Sequence, residues 1–287
     1  MRISFMKPTQ AQFLQALARI EGFSPAPRVL AKALRLLRDP MSDVGSVATL
    51  IGSDPALAAE ILRCANSAYF RHGSPVGSIV DAVQKIGIRE TVRLLNVAVA
   101  RMLTGTDLKA YAVSGDAFWA ESLMHGLFLY EVAERTGRGD PDEAYTAGLL
   151  RFIGRLAIDR LAVEHSRPRE EGVTFSDWEQ NTVGFLHSQA GALLLAKWQF
   201  LEHLVQAIAG QDHPERLPQS NWLADALHFA GSVLPSDGPS VATAEPRLEA
   251  LLLAEEGFMQ NHGLSIDDVG QLLSTTGRAF AQVQSGF

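Results

Sequence analysis

Apolar residues recur along this chain at spacings of three and four, and convincing runs of alternating apolar and polar residues are absent. Such a period predicts helices throughout and an all-α fold. Phe13, Leu14, Leu17 and Ile20 form a first stripe, ending before Gly22 and a Pro25-Ala26-Pro27 turn. A second helix is expected from Arg28, burying Val29, Leu30, Ala33, Leu36 and Leu37. Asp39-Pro40 closes it, because a residue before proline is pushed out of the α region. Val44, Val47, Leu50 and Ile51 mark a third helix, and Asp54-Pro55 supplies an N-cap acceptor with proline at the first helical position. Ser78 and Asp81 have capping-box spacing, and Gly87 is placed to close that helix in a left-handed cap.

The next helix runs through Leu103, after which Gly105 to Asp116 break the pattern. That break predicts two helical domains, residues 1–108 and 109–287. The second opens on Phe118, Trp119, Leu123 and Leu127, ends a helix near Gly137 and starts another at Asp140-Pro141. Further helices are expected from Ser176 with Glu179, from Ser188 to Trp198, from Glu202 to Gly210 and from Asn221 to Val233. Pro235 to Pro239 reads as a loop. Pro246 to Gly257 and Ser265 to Val283 return to helical spacing, as a C-terminal extension of the second domain.

Composition narrows the classes. With 47% hydrophobic and 20% charged residues the chain can bury a large core. Its most apolar stretch, Leu94 to Leu103, is broken by Asn96 and Arg101 and falls short of the roughly 18 residues of a membrane helix. One cysteine and a start without a signal-peptide core make the cytoplasm the expected home, with no membrane contact. A formal charge of −7 argues against strong nucleic-acid binding. Arg89, Arg93 and Arg101 read as a solvated helix face. Cys64 falls on the apolar stripe with Leu57 and Ile61, as a core residue, and the four tryptophans lie in separate helices as core anchors. Phosphate-cradling glycine loops, His-Glu-x-x-His zinc motifs and nucleophile elbows are missing from the sequence.

The stretch Ser53-Asp54-Pro55-Ala56-Leu57, followed by Ile61-Leu62-Arg63-Cys64-Ala65-Asn66-Ser67-Ala68-Tyr69-Phe70, resembles the signature of the HDOD family, the HD-related output domains of bacterial signalling proteins. Ile79 to Gly87, Ala147-Gly148-Leu149-Leu150 and Ile153-Gly154-Arg155-Leu156 extend the likeness, which covers roughly Pro25 to Pro214. The resemblance implies a two-lobed helical architecture whose C-terminal lobe is related to HD-type metal phosphohydrolases. Asp54 and Pro55 are a helix start in any case. Asn66, Ser67 and Tyr69 either shape a helix end or, with Arg63, line an interlobe groove that recognises a partner.

HD-type enzymes gather a histidine, an adjacent His-Asp pair and a later aspartate around divalent metal. By the resemblance, the pair falls at Arg151 and Phe152, the first histidine at Glu121 with His125 one turn away, and the final aspartate at Gly231. Guanidinium and phenyl groups cannot ligate a cation. His187 and His213 match histidine positions of metal-binding relatives, yet read equally as hydrogen-bonded helix-end residues. A Glu121–Arg151 salt bridge, with Phe152 filling space beside it, is expected to replace the ion.

The implied function is a non-catalytic output or adaptor needing no cofactor. Its partner would be a signalling protein, such as a cyclic-dinucleotide pathway enzyme, a kinase or a transcription factor, or else a nucleotide second messenger. The alternative is a metal-dependent phosphohydrolase or cyclic-dinucleotide phosphodiesterase built on His187, His213, Asp212 and Asp225.

Overall fold

The computed structural model describes residues 15, 26–39, 41–67, 75–162, 174–234 and 256–286. The stripe from Phe13 to Ile20 (save residue 15), the loop from Pro235 to Pro239 and residues 246–255 of the expected helix from Pro246 to Gly257 lie outside them. Among the described residues every regular element is helical, apart from one isolated antiparallel bridge between Leu108 and Val113.

The first half contains α1 (Ala26–Arg38), α2 (Val44–Gly52), α3 (Pro55–Ala65), α4 (Ile79–Ile86) and α5 (Ile88–Thr104). The helix expected from Arg28 begins two residues earlier, because Pro27 fits the first turn, where its missing N–H costs nothing. Capping follows local rules. The Asp54 carboxylate accepts from the Ala56 and Leu57 amides, and Ser78 Oγ accepts from the Asp81 amide. Gly87 closes α4 at φ +91°, in the left-handed half of the map where a side chain is strained.

The second half contains α6 (Gly115–Thr136), α7 (Pro141–Leu150), α8 (Arg155–Leu161), α9 (Phe175–Thr182), α10 (His187–Lys197), α11 (Glu202–Gly210), a short 3₁₀ turn at Pro214–Arg216, α12 (Trp222–Val233), α13 (Glu256–His262) and α14 (Ile266–Gly286). One correction concerns α9. Thr174 caps it, in a reciprocal box with Asp177, whereas Glu179 points into the core with no exposed surface. No helix among the described residues is long and apolar enough to cross a membrane.

One apolar core runs from Val29 in α1 to Leu272 in α14. Cys64 is buried in it, as are Trp178 and Trp198. Where the pattern breaks between α5 and α6, Leu108, Ala110 and Tyr111 are buried, and the Ala110 amide donates to Asp159 at 2.7 Å. A division of the chain near residue 108, which we retain as a proposal, would leave this anchored segment with the second half. Two arginines expected on a solvated face do other work. Arg93 Nε lies 2.5 Å from Asp142 Oδ1 and Arg89 Nη2 lies 3.4 Å from Asp140 Oδ2, so both tie α5 to the start of α7.

Candidate functional site

α6 and α7 pack as an antiparallel pair whose backbones nearly touch: a Cβ on Gly148 would fall on the His125 carbonyl and on the Gly126 backbone. That approach sets the end of α7 beside the middle of α6. The chain then turns through residues 151–154, and Gly154 lies so close to His187 and Gly191 of α10 that a side chain there would overlap their backbones. The turn delivers Arg151 and Phe152 inward and starts α8 at Arg155.

Phe152 is 1% exposed and sits at the centre. The His125 ring meets it edge-on at 4.9 Å between centroids, and the His187 ring lies 5.5 Å away. Arg155 Cζ stands 4.0 Å from the Phe152 centroid and 4.7 Å from that of Phe175, while Arg151 Cζ is 5.0 Å from Phe152. Guanidinium groups over aromatic faces gain most where water is excluded.

The expected Glu121–Arg151 bridge is not what forms. Glu121 Oε2 accepts instead from Arg155 Nη1 at 2.8 Å. Geometry explains the exchange. Arg155, the first residue of α8, reaches back to α6, whereas Arg151 points to α12, donating to the Leu227 carbonyl with its guanidinium against Gly231. Burial pushes the Arg151 pKa down to about 10, with the Asp212 and Glu121 charges resisting the shift. Burial also raises the Glu121 carboxyl above its ordinary value, although Arg155 and Arg151 pull the other way.

His125 is buried one turn along from Glu121, its Nδ1 donating to the Glu121 carbonyl at 2.8 Å. Burial, reinforced by the Arg151 charge, drives its pKa well below the usual value and keeps the ring neutral. His187 opens α10 and is oriented by Glu179: its Nδ1 is 2.9 Å from Glu179 Oε2, to which its backbone amide also donates at 2.8 Å. Tyr111 Oη donates to Glu179 Oε1 at 2.8 Å. Burial would raise the Glu179 pKa, but the His187 contacts and Arg155 outweigh it and hold it below the carboxylate norm. With the proton on Nδ1, the His187 lone pair is on Nε2, a buried atom without a hydrogen-bond partner among the described residues.

His213 does not join His187. Its side chain is 51% exposed and its Nδ1 lies 3.3 Å from Glu215. Asp212 accepts from Ser188 Oγ, and Asp225, on α12, lies near His262 and His228. Among the described residues no group of three or more His, Cys, Asp or Glu side chains is arranged to hold a metal ion. The donor set around Phe152 therefore does not fit a divalent cation: its two cationic side chains repel one, and its carboxylates Glu121 and Glu179 are already engaged by Arg155 and His187.

At the far end of α3, Arg63 pairs with Glu60, Nε to Oε2 at 3.0 Å. Asn66 clasps the following loop, its amide nitrogen donating to the Val76 carbonyl at 2.9 Å and its amide oxygen accepting from the Val76 amide at 2.8 Å. Tyr69 lies outside the described residues. Asn66→Ala should lose roughly 1–3 kcal/mol, at about 1 kcal/mol per hydrogen bond. Hydrogen exchange at Val76 should rise with it; unchanged exchange would argue against the clasp.

Sequence reasoning missed Arg155, Glu179 and Tyr111. Arg155 had a signal, lying four residues beyond Arg151 in an otherwise apolar stretch. For Glu179 the signal was masked, because its spacing from Ser176 matched a cap.

Comparison with known proteins bears on both fold and family. The family model described as "HDOD domain" matches residues 24–214. An uncharacterized protein of Treponema pallidum (strain Nichols) is 26% identical over 199 residues, an alignment covering 66% of this chain and only 37% of that relative's length. A solved HDOD domain protein of unknown function from Geobacter sulfurreducens is 22% identical, covers 97% of this chain and 99% of its own, and superposes with a TM-score of 0.65. A phosphohydrolase candidate of Shewanella amazonensis SB2B is 24% identical over 93% of both chains, with a TM-score of 0.61. At these identities the two structures speak for the fold alone.

Proposed function

The chain belongs to the HDOD family, and from that premise we propose that it is a non-catalytic signal-transduction output or adaptor acting by binding a protein partner or a nucleotide second messenger. One observation carries the proposal: the Phe152 ring, at the position where the resemblance puts half of the His-Asp pair, is buried and flanked by Arg151 and Arg155. An aromatic group and two cations there favour a rigid scaffold over an open reaction centre. The reading places the chain in the cytoplasm, among the signalling proteins it would engage.

A second reading has one observation behind it. His187, with Nδ1 held by Glu179 and Nε2 left as the lone-pair nitrogen, has the tautomer and carboxylate backing of a metal ligand. That favours a metal-dependent phosphohydrolase or cyclic-dinucleotide phosphodiesterase; the similar Shewanella amazonensis SB2B protein bears the name of a phosphohydrolase. A single oriented imidazole without neighbouring donors gives a weak site.

Protein purified without chelator separates the two. We expect less than a tenth of an equivalent of transition metal by elemental analysis (roughly the noise of a site with one ligand), and no turnover of a cyclic dinucleotide or of bis(p-nitrophenyl) phosphate with added Mn²⁺. Stoichiometric metal together with turnover would overturn the proposal.

A further inference from the structure

The first turn of α7 carries three carboxylates, Asp140, Asp142 and Glu143, each engaged by a cation from another helix. Two contacts come from α5. Arg93 Nε is 2.5 Å from Asp142 Oδ1, its Nη2 donates to Tyr130 Oη at 2.9 Å, and Arg89 bridges Asp140 and Asp142 at 3.4 and 3.5 Å. Glu143 is divided differently: Arg38 Nε, from the end of α1, lies 2.5 Å from Oε1, and His203 Nε2, from α11, lies 2.9 Å from Oε2. One turn earlier on α1, Arg35 Nη2 donates at 2.5 Å to the carbonyl of Gln199, a residue held at φ +63° just before α11.

These ties are unequal in kind. The α5 contact has a buried apolar base, in which Val97 and Ala100 cluster with Tyr145 and Leu149 of α7, and a buried hydrogen bond from Thr146 Oγ1 to Asn96 Oδ1 at 3.0 Å. Its anion, Asp142, has a side chain 4% exposed. The Arg38 side chain is 51% exposed, and Arg35 is exposed as well. Exposed ion pairs contribute little and are screened by salt, whereas buried apolar contacts are not. Meanwhile α1 belongs to the first bundle, through Val29, Leu30, Ala33 and Leu34 in its core.

We propose that Arg35 and Arg38 on Gln199, Glu143 and His203 form an ionic latch between the α1–α4 bundle and the second half, with α5 as the pivot, and that opening the latch lets the bundle rotate about α5. Gln199 in the left-handed region fits the role, since a strained backbone residue presents the carbonyl that Arg35 holds.

The test uses the full chain with spin labels at Lys32→Cys on α1 and Gln206→Cys on α11, both exposed positions. Native Cys64 is buried and so resists labelling. At 1 M salt, where the screening length falls to about 3 Å, and in Glu143→Gln at low salt, the interspin distance should lengthen by more than about 2 Å, the scale of a domain rearrangement. A second label pair at Met102→Cys and Arg138→Cys, on α5 and just beyond α6, both exposed, should keep its distance under both conditions. Arg38→Gln, on the exposed side of the pair, should reproduce the effect if Glu143→Gln fails to fold. An unchanged Lys32–Gln206 distance at high salt and in a folded variant would overturn the latch, as would equal lengthening of both label pairs.

Discussion

Gly231→Ala is expected to destabilise this protein far more than an added methyl group usually does. A Cβ built at residue 231 falls on the Arg151 guanidinium, which is fully enclosed and donates to the Leu227 carbonyl. The far end of an arginine normally swings aside at little cost. Here it is buried and held by its bond to the Leu227 carbonyl, with the Phe152 ring 5.0 Å from Cζ, so moving it breaks both contacts. Overpacking costs about 1–3 kcal/mol, and a charged hydrogen bond pushed out of line loses about 1.5–3 kcal/mol more. Urea unfolding of Gly231→Ala measures the sum. The informative step is the double variant with Arg151→Met, which removes the colliding group while keeping bulk. The double variant should be more stable than Gly231→Ala alone, because the two positions share one volume. Additive losses would mean that the residues do not compete for that space. The same competition fits glycine at 231, where the resemblance implies an aspartate: with arginine at 151, a Cβ there meets the guanidinium.

How far the residues alone reveal this arrangement depends on how local its causes are. The helix starts at Asp54-Pro55, Ser78 and Asp140-Pro141 and the stop at Gly87 were legible, because a cap is decided within four residues of backbone. The start of α9 was not. Thr174 with Asp177 and Ser176 with Glu179 have the same spacing, and the choice is made by remote groups, Tyr111 and His187, that take Glu179 as their acceptor. Positions 121, 151, 152 and 231, which the resemblance singles out, do lie together. Which charge meets which was beyond reach, since the turn at 151–154 aims Arg151 at α12 and leaves Arg155 to face α6. His125, one turn from Glu121, is packed inside. Its neutrality follows from burial beside Arg151, a relation that spacing cannot express.

Arg155→Ala should give the largest loss of any single change at this site, and the loss should depend on pH in a definite direction. Arg155 is 1% exposed, stacks on Phe152 and Phe175, and is the hydrogen-bonded partner of Glu121. Removing one member of a buried ion pair costs about 3–5 kcal/mol, mostly because the other charge is left unpaired. The sign with pH follows from Glu121, whose carboxyl is already raised by burial in the folded protein. A carboxyl with a folded pKa above its unfolded value penalises folding at neutral pH, and the penalty vanishes as pH falls through the folded pKa toward the unfolded one. Taking away Arg155 removes the main attraction opposing that rise, so the folded pKa climbs further and the neutral-pH penalty grows. The stability gap between wild type and Arg155→Ala should therefore be widest near pH 7.5 and should narrow toward pH 5. In the double variant Glu121→Gln, Arg155→Ala the carboxyl no longer titrates, so the gap should become flat with pH and smaller at pH 7.5. A gap in the single variant that stays constant across this range would mean that Glu121 is not the group left unpaired. Arg155 would then be holding the core by its stacking on Phe152 and Phe175 rather than by its charge.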